Sequence, residues 1–497
     1  MKKLSLIIIA LLSVTAASNA QNVDDALRYS QVFFSGTAKF NSMGGAFTAL
    51  GGDLSSLSLN PAGIGVFRSS ELSVTPQLFH FKSVAGFNNN SSEDYLYNFN
   101  LGQAGIVANI INKNKESGLI ILNFGYSFNK TNNLNQSVII EGINDNSSFL
   151  DYFVEKSNGN TKSQLPDKVP DAFLAWDTWL IDTLSGSSDQ YGTVYSNYGD
   201  NPPSVYGQNM RHIISTEGYT GEHAISVGGN YSNKLFFGAT FGLSRLTYGS
   251  KFEHLESTTA DLQSKFTDFN YIFYYKNTGV GYTVKFGAIY KPVEMLRLGV
   301  AFHSPTLYMI TEEVNDNITS YFSDRAEPYK STNNTSRYGY SLTTPFRVET
   351  GAAFQIKKLG FISADYEFVD YRTAKFSETG DGYDYTAKNR EIKNTLKAGH
   401  NLRLGGELRL KSLYFRGGYA HYGKAFDKNE LNAGMNYNAL SFGVGFREQN
   451  IYADMGFTTL NNSRKYIVYD SSIETVMSNI DLHRKIFSVT FGYKFGY

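Results

Sequence analysis

Several stretches of this chain alternate large apolar and polar side chains with a period of two residues. Successive side chains of a β-strand point to opposite faces, so each stretch predicts a strand with one apolar face. Transmembrane barrels follow this rule along every strand, because lipid-facing and lumen-facing residues alternate. The clearest stretch is C-terminal, where six large apolar residues share one face: Phe487, Val489, Phe491, Tyr493, Phe495 and Tyr497.

A second stretch, from His400 to Lys411, has four leucines on one face and charged side chains on the other. This alternation predicts leucines facing lipid and charges facing a lumen. Buried charges need partners, so we expect the lumen charges to form a lattice of salt bridges; the alternative is that one arginine binds a substrate carboxylate. The predicted lumen charges are Lys285, Arg347, Glu349, Asp365, Glu367, Arg403, Glu407, Arg409, Arg447 and Asp454.

The composition favours strands rather than membrane helices. The 497 residues include 35 Tyr, 37 Phe and 46 Gly but 10 Pro, and aromatic girdles are typical of transmembrane barrels. Beyond the N-terminal segment, no stretch reaches the roughly 18 consecutive apolar residues of a spanning helix. The 45 basic and 45 acidic residues balance, which argues against a nucleic-acid partner. Without cysteine, the chain forms no disulfide.

The N-terminus has the features of a cleaved secretory signal. A basic start precedes an apolar run from Leu4 to Val14, which is too short to span a membrane as a helix. Small residues follow as far as Ala20, so we expect residues 1–20 to be a signal peptide and the mature chain to begin at Gln21.

The lengths of the connections give an independent indication of the architecture. Short ones, such as Lys357-Lys358 and Lys411-Ser412, alternate with long ones, such as 309–340 and 461–484. Outer-membrane barrels alternate short periplasmic turns with long external loops in this way. We therefore expect an all-β fold, a transmembrane antiparallel β-barrel of about 14 strands. The predicted strands are 71–82, 99–111, 117–130, 221–232, 234–250, 267–291, 295–308, 341–356, 359–372, 398–410, 413–424, 437–448, 450–460 and 485–497.

The segment 21–70 precedes the first predicted strand and is too long for a simple tail. A short helix is predicted for Val23–Phe34. A glycine-rich stretch follows, with Gly44-Gly45 and Gly51-Gly52. These glycines either permit tight turns inside a crowded lumen or give a plug with little regular structure that can move.

The glycine-rich stretch, Asp53 and the motif Asn60, Pro61 and Ala62 resemble the N-terminal hatch of the FadL-type outer-membrane transporters. The resemblance implies a hatch of residues 21–70 that blocks a barrel of residues 71–497. It implies passive uptake of hydrophobic small molecules, either long-chain fatty acids or, as in the TodX-like branch, aromatic compounds, without a cofactor. In that family the ligand leaves by hatch movement or through a gap in the wall.

Three hatch residues, Phe40, Met43 and Phe47, are candidates for ligand contact. Their alternative role is to pack the interior of the plug. With no basic residue securely matched to those that meet the ligand carboxylate in the family, the ligand pocket itself is not carried over.

The long external insertion at 131–220 contributes three more candidates, Phe173, Trp176 and Trp179. Helical spacing predicts Phe173, Trp176 and Leu180 on one face. An exposed loop with this much apolar surface is expected to fold onto other loops or onto a ligand.

Enzymatic activity is not expected. The eight histidines have no metal-ligand spacing and no Gly-x-Ser-x-Gly motif occurs, so neither a catalytic nor a metal site is predicted. Two other functions stay open. Plugged barrels of this kind also serve as docking or shuttle components in protein secretion, and His421-Tyr422 suggests a haemin-binding receptor.

The expected location is the cell outer membrane. Lipid of that membrane is then an expected partner, together with the hydrophobic ligand. The aromatic end Phe495-Gly496-Tyr497 resembles the signal read by the barrel-assembly machinery, which is a further expected partner.

Overall fold

The computed structural model describes residues 22–33, 35–113, 117–196, 204–380 and 382–496. The predicted signal peptide, Gln21, Phe34 and Tyr497 lie outside the described residues. The described chain forms a closed antiparallel barrel of 14 strands, which confirms the predicted fold class. Its strands are β1 Ser70–Phe87, β2 Asn90–Asn112, β3 Leu119–Asn133, β4 Gln136–Asn144, β5 Ile181–Thr183, β6 Tyr191–Thr193, β7 Gln208–Tyr231, β8 Leu235–Ser257, β9 Phe266–Val293, β10 Leu296–His303, β11 Leu307–Phe322, β12 Tyr329–Thr332, β13 Ser336–Thr343, β14 Arg347–Ile356, β15 Gly360–Asp370, β16 Lys375–Glu378, β17 Ala398–Leu410, β18 Leu413–Tyr422, β19 Tyr437–Glu448, β20 Ile451–Asp470 and β21 Thr475–Phe495.

Neighbouring strands of the wall follow one another in the chain, and β21 pairs with β1 to close the barrel. Some wall strands consist of two pieces, namely β3 with β4, β10 with β11, β13 with β14, and β15 with β16. The pair β5–β6 forms a separate small sheet, and β12 pairs with the loop end of β11.

Three adjacent wall strands are interrupted side by side. Pro305 and Pro345 stand in two of the gaps, and they cannot donate a backbone hydrogen bond to a ladder. The third gap is a 3-10 turn, Tyr371–Thr373. The prediction of uninterrupted strands is therefore wrong for residues 295–308, 341–356 and 359–372.

The strands are also longer than predicted. Residues 83–98 and most of 461–484 fall between predicted strands, but they continue β1, β2, β20 and β21. The connection between β1 and β2 is only Asn88-Asn89. The strand β9 is continuous over 28 residues, so the predicted parity of the strands is kept. The predicted long connections 83–98 and 461–484 are wrong, because only two and four residues lie between the strands there.

The outer face of the wall carries exposed apolar side chains around the barrel. In β17, for example, Leu402 and Leu404 are 42% and 43% exposed, whereas Arg403 between them is 1% exposed. We call this surface the apolar belt. It has the arrangement of a wall in contact with lipid. No helix among the described residues is long and apolar enough to cross a membrane.

The segment 131–220 begins and ends in the wall, in β3, β4 and β7. The part between, residues 145–196 and 204–207, folds over the end of the barrel that carries the long loops, and we call it the loop cap. Its helices in the described residues are α4 Phe149–Ser157, α5 Leu165–Lys168 and α6 Pro170–Asp177; α7 Thr386–Thr395 lies in another loop. An apolar core joins the cap to the inner wall, and it includes Phe149, Leu150, Phe153, Leu174, Ile181, Phe81, Ile214, Phe269, Ile318 and Ile480.

The segment before β1 lies inside the lumen and forms the hatch. Its elements are the helices α1 Val23–Ser30, α2 Ala38–Ser42 and α3 Ser56–Leu59, followed by the 3-10 helix Pro61–Val66. The predicted first helix thus ends at Ser30. This helix packs in an apolar cluster with wall strands and α7, whereas the rest of the hatch lies beside the short turns of the barrel.

Candidate functional site

Asn60 joins three parts of the molecule. Its Nδ2 donates to Thr48 O at 2.6 Å, and its Oδ1 accepts from Ala62 N at 3.0 Å. The same Nδ2 lies 3.4 Å from Ala288 O in β9. Pro61 begins the 3-10 helix, where a missing N–H costs no hydrogen bond. The motif Asn60, Pro61 and Ala62 therefore ties the end of the hatch to itself and to the wall.

The glycine pairs of the hatch form tight turns. Gly44, Gly45, Gly51 and Gly52 have φ angles of 61°, 74°, 62° and 65°, a region that is strained for residues with a Cβ. Gly51 also lies against Gly63, so a side chain there would collide with the hatch backbone.

A ring of wall glycines makes room for the hatch. A Cβ added at each of them would come within 3.0 Å of a hatch atom. Because they lack side chains, the hatch backbone lies directly against the wall. We call them the glycine seat, and they are Gly228, Gly238, Gly287, Gly299, Gly351, Gly405, Gly418, Gly443 and Gly456, from nine different strands.

Polar side chains of the wall bind the hatch backbone next to the glycine seat. The carboxylate of Asp365 accepts from Thr48 N at 2.7 Å, and His303 Nε2 donates to Leu59 O at 2.7 Å. Further contacts of this kind run from Thr490 to Ala38 N, from Ser363 to Ala46 O, from Lys285 to Ser58 O and from Asn123 to Ile64 O.

Nine of the ten lumen charges predicted from sequence form salt bridges within the described part of the chain, Asp365 being the exception among them. Arg403 binds Glu349 and Glu367, and Glu367 also binds Arg347, which donates to the backbone carbonyl of Ser30 in the hatch. A second group joins Arg416 to Glu407 and Asp454, each at 2.7 Å. Removing one partner of a buried pair typically costs about 3–5 kcal/mol, so these pairs stiffen the wall around the hatch.

One buried carboxylate, Glu256 of β8, anchors the loop cap. It accepts from Phe149 N at 2.7 Å, from Ser148 Oγ at 2.5 Å and from Tyr195 OH at 3.2 Å. Its fourth contact is His254 Nε2 at 3.1 Å. Glu256 therefore ties the N-terminus of α4 to the wall, together with the contacts of Ser147 with Gln208, Tyr469 and Glu474.

Two buried histidines stand behind this anchor. His254 Nδ1 lies 3.1 Å from His212 Nδ1, and His212 Nε2 lies 3.3 Å from Tyr466 OH. His254 Nε2 donates to Glu256, so in neutral His254 the Nδ1 atom carries no hydrogen. The hydrogen bond between the two rings is then donated by His212 Nδ1. If both rings were protonated, two N–H groups would face each other.

A cavity of about 310 Å³ lies beside α1 inside the barrel. Its walls combine apolar and aromatic side chains with four cations and a single carboxylate. The rings and apolar groups include Leu27, Phe33, Tyr248, Phe252, Phe273 and Tyr437; the charged groups are Arg28, Arg464, Lys465, Arg484 and Asp24.

Two of the cavity arginines have no acidic partner. Arg484 is 8% exposed and donates to Asn462 Oδ1 at 2.9 Å. The Nε atom of Arg464 has no hydrogen-bond partner, and among the described residues neither arginine forms a salt bridge. By contrast, Arg28 in the same cavity pairs with Asp25. Neither residue is among the sequence-predicted site residues, because both fall in 461–484, which was expected to be an external loop.

The three hatch candidates for ligand contact lie in the interior of the hatch. Phe40, Met43 and Phe47 are at most 1% exposed, and the ring centroids of Phe40 and Phe47 are 5.1 Å apart. None of them lines the cavity beside α1. Ligand contact by these residues stays a prediction.

The cap candidates lie on the loop cap, away from the cavity beside α1. Phe173 and Trp176 are partly buried with ring centroids 5.7 Å apart, and Trp176 donates to Asp182 at 3.3 Å. Trp179 is 50% exposed beyond the end of α6, so Leu180 does not share a helix face with the other two. Ligand contact by Phe173, Trp176 and Trp179 likewise stays a prediction.

His421 and Tyr422 point to opposite sides of β18. His421 lies on the outer face, with Nδ1 2.8 Å from Asn438 Oδ1, whereas the Tyr422 ring packs against Phe33 of the hatch. The pair therefore offers no common face to a haem iron.

Neither a protein-family model nor a curated protein sequence matches the chain. Solved structures do match. A FadL homologue from Pseudomonas aeruginosa is similar at 11% identity and a TM-score of 0.56, covering 94% of this chain and 100% of its own. The Pseudomonas putida toluene transporter TodX is similar at 12% identity and a TM-score of 0.53, with the same two coverages. The fold is that of the FadL and TodX proteins.

In this chain the hatch lies inside the lumen and the loop cap folds over the end with the long loops. The closed wall and the apolar belt are those of an outer-membrane barrel, so the protein lies in the outer membrane.

The glycine seat can be tested with matched double variants, because Gly405 pairs with Gly418 and Gly406 pairs with Gly417. Alanine at 405 and 418 would collide with Met43 and Gly44, whereas at 406 and 417 no heavy atom lies closer than 3.7 Å. Such overpacking costs about 1–3 kcal/mol.

We expect the Gly405→Ala/Gly418→Ala protein to conduct ions in planar bilayers and the Gly406→Ala/Gly417→Ala protein to stay closed. Heat-modifiable migration on gels would verify that both barrels fold. Equal conductance of the two would show that the seat does not hold the hatch.

The loop cap is expected to loosen in acid. His212 and His254 lie far beyond the apolar belt of β7 and β8, and burial, followed by the charge of His254, lowers the pKa of His212 well below its ordinary value. In the unfolded protein the pKa of His212 is about 6.5. Because the folded protein binds this proton less readily, the free energy of unfolding falls as the pH drops below this value.

Hydrogen exchange of α4 should therefore accelerate between pH 7.5 and 5, and less so in a His212→Asn variant. Burial raises the pKa of Asp151 to about 6, so its protonation changes the stability of the fold in the opposite direction. Comparing the two proteins separates the contribution of His212 from that of Asp151. An identical pH profile for both proteins would contradict the assignment.

Proposed function

We propose that this barrel passes hydrophobic small molecules passively through the outer membrane, and that its ligands carry an anionic group, as long-chain fatty acids do. The observation that carries the proposal is the cavity beside α1 with its two unpaired arginines, Arg464 and Arg484. Pockets for small ligands are typically about 300–1,000 Å³, mostly apolar, with a few placed polar groups. The cavity of about 310 Å³ lies at the lower end of this range, and its lining is about half polar, with amide and charged side chains among the apolar ones.

The charges favour an acid over a neutral hydrocarbon. A buried cation without an opposite charge is costly, and Arg484 is buried without an acidic partner while Arg464 is partly buried in the same cavity, so an anionic ligand group would relieve this cost. The rings and aliphatic side chains around them would shelter an acyl chain, at about 0.8 kcal/mol for each methylene removed from water. TodX, the toluene transporter of Pseudomonas putida, has the same fold, which supports a hydrophobic ligand but leaves its headgroup open.

Passage requires both closures to yield. A ligand from outside would enter past the loop cap, which depends on the Glu256 anchor. It would leave once the hatch moves off the glycine seat. Neither step needs a cofactor or an energy source, because a hydrophobic solute moves down its own gradient.

Binding to the purified, delipidated protein tests the proposal. We expect palmitate to bind at least about tenfold more weakly to an Arg464→Gln/Arg484→Gln variant, a loss of roughly 1.4 kcal/mol. Hexadecanol, which has the chain but no charge, should bind both proteins alike. Arg211→Gln is the matched control, since Arg211 lies on the rim and pairs with Glu141 at 3.4 Å.

Two results would contradict the proposal. If the variant loses affinity for palmitate and hexadecanol equally, the two arginines do not bind the carboxylate of the ligand. If neither compound binds the wild-type protein, the cavity is not a hydrophobic ligand site.

A further inference from the structure

The hairpin β1–β2 leaves one edge of the wall without a partner strand. β2 pairs with β1 from Asn90 to Val107, but it pairs with β3 only from Gln103 to Asn112. Beyond Asn129, β3 and then β4 pair only with β7. Residues 90–102 of β2 therefore form an open edge, and no strand of the described chain pairs with it.

β4 packs against the inner side of the hairpin rather than beside β2. Ser83 Oγ, on the lumen-facing side of β1, donates to Ser137 O at 2.8 Å. Phe87, which is also buried, lies against Gly142. Ser137 Oγ also donates to Asp94 Oδ2 of β2 at 2.5 Å, but β4 does not pair with the backbone of residues 91–101.

The two edges at this overlap differ in how they are protected. On β4, Glu141 O accepts from Asn90 Nδ2 at 2.8 Å, and Ile143 O accepts from Asn88 Nδ2 at 2.7 Å. Along residues 91–101 of β2, the described residues provide one such bond, from Tyr95 N to the neighbouring Asp94 carboxylate. Proteins usually blunt exposed edges with Lys, Pro, bulges or a covering loop, and this stretch contains neither Lys nor Pro.

The same stretch presents unusually exposed rings. Tyr95, Tyr97, Phe99 and Leu101 are 50%, 70%, 75% and 42% exposed and lie on the outer face. Because Phe87 and Asn90 flank a two-residue turn, the even-numbered residues of β2 exchange hydrogen bonds with β1. The N–H and C=O groups of the odd-numbered residues, which include these four, point to the open edge.

We propose that the edge formed by residues 91–101 binds an extended segment of a different polypeptide by strand addition, with apolar side chains of that segment against Tyr97 and Phe99. A strand is the ligand that matches a row of alternating N–H and C=O groups, and its side chains add specificity. Opposite the apolar belt, at Phe99 and Leu101, hydrocarbon cannot satisfy these groups. Two copies of this chain in one membrane have the same orientation, so their β2 edges cannot pair antiparallel.

The test places a photo-crosslinking residue, p-benzoylphenylalanine, at Phe99 of the full chain in the bacterium that makes it. We expect irradiation to give one discrete adduct with another polypeptide. The same probe at Phe442, which is 56% exposed in the apolar belt, should give none.

Two substitutions of Tyr97 separate backbone pairing from ring contact. Tyr97→Pro removes an N–H that points to the open edge and spares the ladder to β1, whereas Tyr97→Ala keeps that N–H. The adduct should fall about tenfold with Tyr97→Pro, equivalent to roughly 1.4 kcal/mol, and clearly less with Tyr97→Ala. Heat-modifiable migration would verify folding of both.

The proposal is overturned if the probe at Phe99 gives no polypeptide adduct, an adduct with lipid only, or an adduct of twice the chain's own mass. An adduct that persists undiminished with Tyr97→Pro also overturns it, because binding would then not use the backbone edge. These outcomes are independent of palmitate binding, so they leave the proposed transport function untouched.

Discussion

Inside a bilayer, a protein wall has to satisfy every backbone N–H and C=O group within itself, and a closed ladder of strands is one of the two ways to do so. With 14 strands, such a ladder encloses a lumen too wide for its own side chains to fill. The hatch and the loop cap fill this lumen. The glycine seat follows from the same requirement, because a plug that bonds to the wall by its backbone needs wall positions without side chains.

The two closures are held in different ways. Many hydrogen bonds bind the backbone of the lower hatch, such as those of Asp365 and His303, and single hydrogen bonds contribute a net of only about 0.5–1.5 kcal/mol each. Water can replace such bonds when the hatch leaves its seat, whereas the small apolar contacts of the hatch with the wall, such as that of Ile64 with Val107, would be lost. The loop cap instead shares an extensive apolar core with the wall, and its polar anchor depends on Glu256.

Period-two alternation and the parity of the connections were sufficient to predict the barrel, whereas the hatch was predicted from the length of the segment 21–70 and its resemblance to the FadL-type hatch. They failed above the apolar belt, where strands continue without an apolar face, and this failure hid Arg464 and Arg484. Residues 93–101 do alternate, with Tyr95, Tyr97 and Phe99 on one face, so that stretch could have been recognised as a strand. The faces of adjacent glycines such as Gly417 and Gly418 depend on register, which a single sequence does not give. Aromatic residues such as Phe40 and Phe47 look the same in a core and in a pocket.

The central claim is that the hatch closes a lumen that would otherwise conduct. The most direct measurement is the planar-bilayer conductance of a protein that lacks residues 22–60 but keeps its signal peptide. The account predicts a large, steady conductance for this protein and almost none for the intact chain. Equal conductance of the two would contradict it, because the segment would then not be what closes the barrel.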